Sequence, residues 1–301
     1  MTSPLHAQFY ADSAVQQTVE IVENVRLAKE THRVRFRSPE IAGRILPGQF
    51  LMLRLADLND PLIGRPLAMY DVTTGAGGEP EFVDVVYLVK GKLTSRLQDF
   101  RPGQQLDVWG PLGNGFLPQP TDHLVMVAGG IGQTPFLALA KEYLGHQQFG
   151  IPPRVVSQAR RVTFCYGART SEYLAGMEDF ERLGVNVRIA TDDGSRGHHG
   201  LVTDLLRQVL SNSLPQTPAP NPQPPPSPRI VCCGPEPMME AVAKIAAANS
   251  VPCEVSLETP MACGIGICFT CVAKIKTAGE EWDYKRTCVE GPVFDAASIA
   301  W

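Results

Sequence analysis

No run of about 18 consecutive apolar residues occurs in the 301-residue chain, so no membrane span is expected. Its longest apolar stretches are short and bounded by Gly or Pro. A basic block is absent too. Lys and Arg are spread along the chain and the formal net charge is -4, which makes nucleic acid a poor partner. The first twenty residues lack a basic start followed by an apolar run, so no signal peptide is read and a cytoplasmic location is expected. No Ser/His/Asp or paired-carboxylate arrangement stands out, and no residue is assigned as general acid, base or nucleophile. Without an export signal, the 8 cysteines point away from a disulfide framework and toward metal ligation or buried packing.

What is present is ordinary globular composition, 44% hydrophobic and 19% charged, enough for two core-forming domains and a small appended one. The first third reads as β. Strands are expected at 19–24, 34–37, 50–56, 66–72, 82–89 and 106–109, with one short helix at 93–100, and this pattern suggests an antiparallel barrel. The middle third alternates: strands at 124–127, 162–166, 185–190 and 230–233, helices at 134–144, 171–183, 201–211 and 235–249. Such alternation argues for a parallel sheet covered on both faces. The Pro-rich run at 214–228 is expected to be an extended solvated loop, either a partner-docking segment or a tolerated surface insertion; long loops cost little stability, which favours the insertion. The Cys- and Gly-rich tail is too short to build a core unaided. The resulting division is 1–117, 118–256 and 257–301.

Four of the cysteines are spaced in a way that chance seldom supplies. Cys263, Cys268 and Cys271 form C-x4-C-x2-C, and Cys288 follows after sixteen intervening residues. This is the plant-type [2Fe–2S] ligand spacing, in which four thiolates hold two bridged irons. Gly264 and Gly266 lie between the first two ligands, where backbone N–H groups must approach sulfur closely. A structural zinc site is the competing reading, although zinc ribbons more often show two matched C-x-x-C knuckles. Cys165, Cys232, Cys233 and Cys253 lie on or beside expected strands, where buried cysteine acts as a small hydrophobe.

Gly129, Gly130, Gly132 and Thr134 lie between a strand and a helix, in the pattern G-G-x-G-x-x-P. Taken alone, the glycines either make a plain tight turn or admit a pyrophosphate to the backbone, where the helix start offers free N–H groups. Cys233, Gly234 and Pro235 join a second strand to a second helix. In a parallel sheet both turns share the carboxyl edge, where ligands bind. Arg169, on a third such turn, contacts a phosphate or faces solvent. Asp192, on a fourth, bonds a ribose or caps its turn, the latter being favoured. His198 and His199 are read as exposed polar residues. In the β third, Arg65 stands just before Pro66, Leu67 and Ala68; an arginine fork suits a pyrophosphate, and by itself the residue reads as a surface arginine. Gly91, Lys92, Thr94 and Ser95 open the short helix and offer a second phosphate cradle.

Taken in order, the barrel with R-P-L-A, the Gly turn before a short helix, G-G-x-G-x-x-P and C-G-P-x-P-M resemble the ferredoxin–NADP reductase superfamily. The tail narrows the resemblance. Met261-Ala262-Cys263-Gly264-Ile265-Gly266-Ile267-Cys268, then Cys271, Cys288 and Gly291-Pro292-Val293-Phe294-Asp295, is similar to the electron-transfer subunits of dihydroorotate dehydrogenase B. The likeness covers nearly the whole chain apart from the first dozen residues and the Pro-rich run. Lys92-Leu93-Thr94 stands where the family has a Gly-Thr pair.

The resemblance implies an FAD-binding β-barrel at 1–117, with Arg65 and the 91–95 turn near the pyrophosphate and residues 66–68 beside the isoalloxazine. It implies an NAD-binding α/β domain at 118–256 and a [2Fe–2S] domain at 257–301. The cluster would sit between this FAD and an FMN held by a separate catalytic subunit, in a hetero-oligomer. That subunit oxidises dihydroorotate to orotate in pyrimidine biosynthesis. Two other readings remain: a stand-alone NAD(P)H-dependent reductase serving another redox partner, and a zinc-stapled, non-catalytic nucleotide-binding module.

Overall fold

The computed structural model describes residues 11–213, 228–277 and 281–301. The expectation of a solvated Pro-rich loop therefore lies outside the described residues, except for Pro228, which begins a strand.

Six strands close an antiparallel barrel: β1 (Val15–Ala28), β2 (Thr31–Arg37), β3 (Phe50–Leu55), β4 (Arg65–Thr74), β5 (Pro80–Leu88) and β6 (Gln105–Leu112), in the order β1-β2-β5-β4-β3-β6. Alternation decides which face turns inward. On β1, Val19 and Ile21 are buried while Glu20 and Val22 face solvent. They meet Val34, Phe36, Leu53, Val85 and Leu106 in the barrel core. Two short helices plug the connections. Helix α1 (Pro39–Arg44) was not foreseen; Pro39 suits a first helical turn, and Ile41 and Ala42 are buried in the barrel core. Helix α2 (Lys92–Leu97) ends earlier than expected.

The rest of the chain builds a seven-stranded sheet. Its strands are β7 (His123–Gly129), β8 (Arg161–Ala168), β9 (Asn186–Thr191), β10 (His198–His199), β11 (Pro228–Cys233) and β12 (Cys253–Ser256), all parallel to their neighbours. After the hairpin β13 (Val272–Lys276) and β14 (Trp282–Arg286), the tail strand β15 (Val293–Asp295) joins β12 antiparallel. The order is β10-β9-β8-β7-β11-β12-β15, so the sheet reverses direction of growth between β7 and β11. Helices α3 (Phe136–Tyr143), α4 (Met177–Arg182), α5 (Val202–Ser213) and α6 (Glu236–Ala248) cover it. Leu124 and Met126 of β7 pack with Phe136, Leu139 and Phe180 on one face. Val125 and Val127 pack with Leu206, Val209 and Val242 on the other. Cys165, Cys232 and Cys253 belong to this second core.

The helix expected at 171–183 is broken. A short turn at Ser171–Tyr173 precedes α4, and Gly176 comes so near the barrel that a Cβ there would lie 2.4 Å from the Tyr70 hydroxyl. Tyr70 donates to Asp179 Oδ2 at 2.8 Å, so a contact between barrel and sheet overrides helix propensity. Beside it, Lys141 Nζ of α3 donates to both carboxylate oxygens of Asp71, at 2.7 and 2.6 Å.

The tail packs on both larger units. Met261, Cys271, Cys288 and Val289 share a core with Phe50, Met52 and Leu112 of the barrel. Trp109 Nε1 donates to the Cys263 carbonyl at 2.9 Å, and the Asn114 side chain pairs with both backbone groups of Val293.

Replacing Lys141 with Met would strand the buried Asp71 carboxylate. It is expected to lower stability by about 3–5 kcal/mol, read from urea unfolding; a loss below about 1 kcal/mol would contradict the role given to this pair.

Candidate functional site: two clefts meeting beside a four-cysteine loop

The first cleft, about 790 Å³, opens between barrel, sheet edge and tail. Strand β4 brings Arg65, Pro66, Leu67 and Ala68 to it; the turn before α2 brings Lys90 and Gly91, and α2 itself Thr94; the turn after β7 brings Thr134, and the carboxyl end of β11 brings Cys233. Its lining is mainly apolar, with the cations of Arg65 and Lys90 among it, which suits a flavin ring and an attached pyrophosphate. A Cβ on Gly91 would meet no atom within 4 Å, so the backbone there faces open space. Arg65 is anchored by donating to the Ile63 and Gly64 carbonyls at 2.9 and 3.0 Å. The Thr94 hydroxyl accepts from the Lys90 N–H at 2.9 Å and donates to the Gly91 carbonyl at 3.3 Å, which fixes the turn.

Lys92 and Ser95 are not among the described residues lining this cleft. Lys92 instead pairs with Asp60, which also receives Arg96 at 3.2 Å. On a helix that begins after Gly91, positions 92 and 96 share a face, and Thr94 looks another way.

The second cleft, about 580 Å³, crosses the carboxyl ends of β7, β8 and β11. Gly129, Gly130, Gly234 and Pro235 line it, with Arg169 and Asp192. The three glycines of the first turn have different surroundings. A Cβ on Gly130 would meet nothing within 4 Å, which leaves its backbone open to a ligand. A Cβ on Gly129 would strike Met238 and Pro235 at 2.8 Å, and one on Gly132 would strike the Cys233 carbonyl oxygen at 2.3 Å. These two glycines let the turn pack against β11 and α6. An open backbone at a strand-to-helix turn, at the point where the sheet reverses, fits a dinucleotide. Arg169 is drawn over the Tyr173 ring, 5.1 Å from its centroid.

Ile131 and Glu258 line both clefts and mark where they meet. Neither was singled out from sequence. The signal for Glu258 was available, since it stands just past the carboxyl end of β12, the sixth parallel strand. Burial raises its carboxyl pKa, against a hydrogen bond from Cys233 and the nearby Lys90. Cys233 Sγ lies 3.9 Å from Glu258 Oε1, and burial pushes that thiol well up.

The tail supplies Pro260, Met261, Ala262 and Thr270 to the wall of the first cleft, so the cysteine loop begins at the cleft itself. All eight cysteines are free. The tail sulfurs fall into two pairs. Cys271 Sγ and Cys288 Sγ are 3.1 Å apart, and Cys268 is hydrogen-bonded to Cys263. The pairs adjoin, and charge on Cys263 raises the pKa of Cys288. Among the described residues no three His, Cys, Asp or Glu side chains form a group that would hold a metal ion; the sulfurs stand two by two. Backbone N–H groups aim at them: Ile265 N donates to Cys263 Sγ at 3.4 Å, and Gly266 N–H points at Cys288.

This donor set, two adjoining thiol pairs with N–H donors, fits two irons that each need two thiolates. Sharing a proton with Cys288 lowers Cys271 to about 6 and raises Cys288. For Cys268, desolvation acts upward, and hydrogen bonds from Thr270 and Cys263 outweigh it, bringing the thiol down to about 6.

Three family models tile the chain: the oxidoreductase FAD-binding domain over 18–116, the oxidoreductase NAD-binding domain over 126–244, and the iron–sulfur cluster binding domain of dihydroorotate dehydrogenase B over 258–300. The electron transfer subunit of dihydroorotate dehydrogenase B (NAD(+)) from Desulforamulus reducens is 33% identical over 276 residues, covering 91% of this chain and 94% of the relative. Its counterpart from Clostridium acetobutylicum is 32% identical over 279 residues, covering 92% and 94%. Among solved structures, a chain of the NADH-dependent reduced ferredoxin–NADP oxidoreductase superposes with a TM-score of 0.72 at 27% identity, covering 94% of this chain and 90% of that one. Phthalate dioxygenase reductase, at 15% identity and a TM-score of 0.57, shares the fold.

Replacing Cys268 with Ser is expected to remove visible absorption from an iron–sulfur centre while FAD remains bound. Absorption unchanged in that variant would contradict the assignment of this sulfur.

Proposed function

This chain belongs to the family of dihydroorotate dehydrogenase B electron-transfer subunits, and from that premise we propose that it carries electrons from a dihydroorotate-oxidising catalytic subunit to NAD+, in pyrimidine biosynthesis. When bound, the cluster supplies one-electron transfer, FAD joins one- to two-electron chemistry, and NAD+ accepts a hydride. The residues of the chain bind, orient and insulate. Arg65 and the Gly91–Thr94 turn hold the flavin pyrophosphate, and Pro66, Leu67 and Ala68 flank its ring. Gly130, Gly234 and Pro235 admit the nicotinamide dinucleotide, and Gly129 and Gly132 bring the two turns together. Cys263, Cys268, Cys271 and Cys288 hold the cluster.

One observation carries the proposal. The two clefts share Leu88, Ile131 and Glu258, and the wall of the first includes Ala262 and Thr270, the neighbours in sequence of Cys263 and Cys271. Cofactors held in those places would follow one another from the second cleft through the first to the cysteine loop. This arrangement supports a functional division at 1–117, 118–256 and 257–301, one cofactor to each. Among the described residues no helix is long and apolar enough to cross a membrane, and the partner we propose is a protein subunit. Cys268 is exposed, and its neighbours Ile267 and Phe269 are each 64% exposed, which supports docking of that subunit at the cluster loop.

Anaerobically purified protein should contain iron, labile sulfide and FAD at about 2:2:1. Mixed with the dihydroorotate dehydrogenase catalytic subunit, it should form NADH from dihydroorotate and NAD+, which neither protein does alone. Bound zinc without labile sulfide, or a mixture no more active than its parts, would overturn the proposal.

A further inference from the structure

We propose that Arg286 is a positioning residue for the iron–sulfur centre: it fastens the loop around Cys268 at two points and sets a fixed positive charge against it. The inference rests on the reading of the four tail thiols as cluster ligands.

Arg286 ends β14, two residues before Cys288. Its Nη1 donates to the Gly266 carbonyl at 2.9 Å, and its guanidinium lies 5.1 Å from the centroid of the Phe269 ring. Gly266 and Phe269 bracket Cys268, so one side chain holds the loop on both sides of its most exposed thiol. Both contacts fall where the backbone needs support. Phe269 has φ +56, a left-handed conformation that a side chain of its size adopts at a cost. Gly266 has φ +85, and its N–H points at Cys288. The carbonyl of Gly266 is thus held by Arg286 while its N–H serves a ligand sulfur.

The guanidinium is itself held. Its Nε lies 3.4 Å from Glu290 Oε2, which also accepts the Arg286 backbone N–H at 2.7 Å, and the side chain is only 17% exposed. Glu290 is shared with Lys285, at 3.6 Å, so this one carboxylate faces two cations. Four thiolates make the centre anionic, and reduction adds another negative charge. A cation fastened to the ligand loop favours the reduced state. A planar fork can bond a carbonyl while it lies over a ring, which a lysine cannot do as well.

Two variants of the FAD-loaded protein separate charge from fork. Arg286→Gln keeps a donor and loses the charge; Arg286→Lys keeps the charge and loses the fork. In an EPR-monitored redox titration, R286Q should move the reduction equilibrium about tenfold toward the oxidised form, ~59 mV for a one-electron couple, and R286K should restore most of it. Exposed to an iron chelator, R286Q should bleach at least about tenfold faster than the wild type. Wild-type potential or wild-type bleaching in R286Q would overturn the proposal. Should R286Q assemble no cluster, R286K decides: recovered iron and sulfide support the proposal, and FAD-loaded R286K without cluster overturns it. Wild-type protein devoid of labile sulfide would instead defeat the ligand reading itself.

Discussion

The arrangement depends on how the last 45 residues are sewn to two separate cores. Strand β15 adds to the sheet through Val255 paired with Phe294, and Leu257 N donates to the Pro292 carbonyl at 2.9 Å. On the barrel side, Trp109 bonds the Cys263 carbonyl, and Asn114 N donates to the Gly291 carbonyl at 2.7 Å. The apolar residues of the tail pack with Phe50, Met52 and Leu112. A segment this short cannot bury enough surface by itself, so its position is set by its hosts. That is why the cysteine loop adjoins the wall of the first cleft.

Rigid placement matters for electron transfer. The barrel and sheet are joined by Tyr70 to Asp179 and by Lys141 to Asp71, both at largely buried groups. These bonds hold β4, which carries Arg65 to Ala68, against α3 and α4, the helices that follow β7 and β8. The clefts therefore meet at a defined point, marked by Ile131 and Glu258. The chain's contribution is distance and orientation, with the chemistry left to what it binds.

How much of this was legible in sequence depended on the range of the interactions. The cysteine spacing was readable because three of the four proposed ligands lie in one loop, where only local geometry is needed. The barrel strands were readable because one face is buried and residues alternate. Helix α1 was missed because six residues show no period, and the tail strands were missed because each is short and gains its partner from afar. The helix at 171–183 was drawn too long because Tyr70, a hundred residues earlier, reaches Gly176. Lys92 and Ser95 were taken with Thr94 as one cradle, but helical phase separates them. Glu258 went unseen because its role depends on two clefts that exist only after the sheet and the tail have come together.

The central claim is that the flavin cleft lies between the dinucleotide cleft and the cysteine loop. Anaerobic NADH should therefore elicit the EPR signal of a reduced [2Fe–2S] centre in FAD-loaded protein. It should fail to do so after FAD is stripped, and succeed again on its return. Reduction of the centre by NADH at an equal rate without FAD would contradict the account.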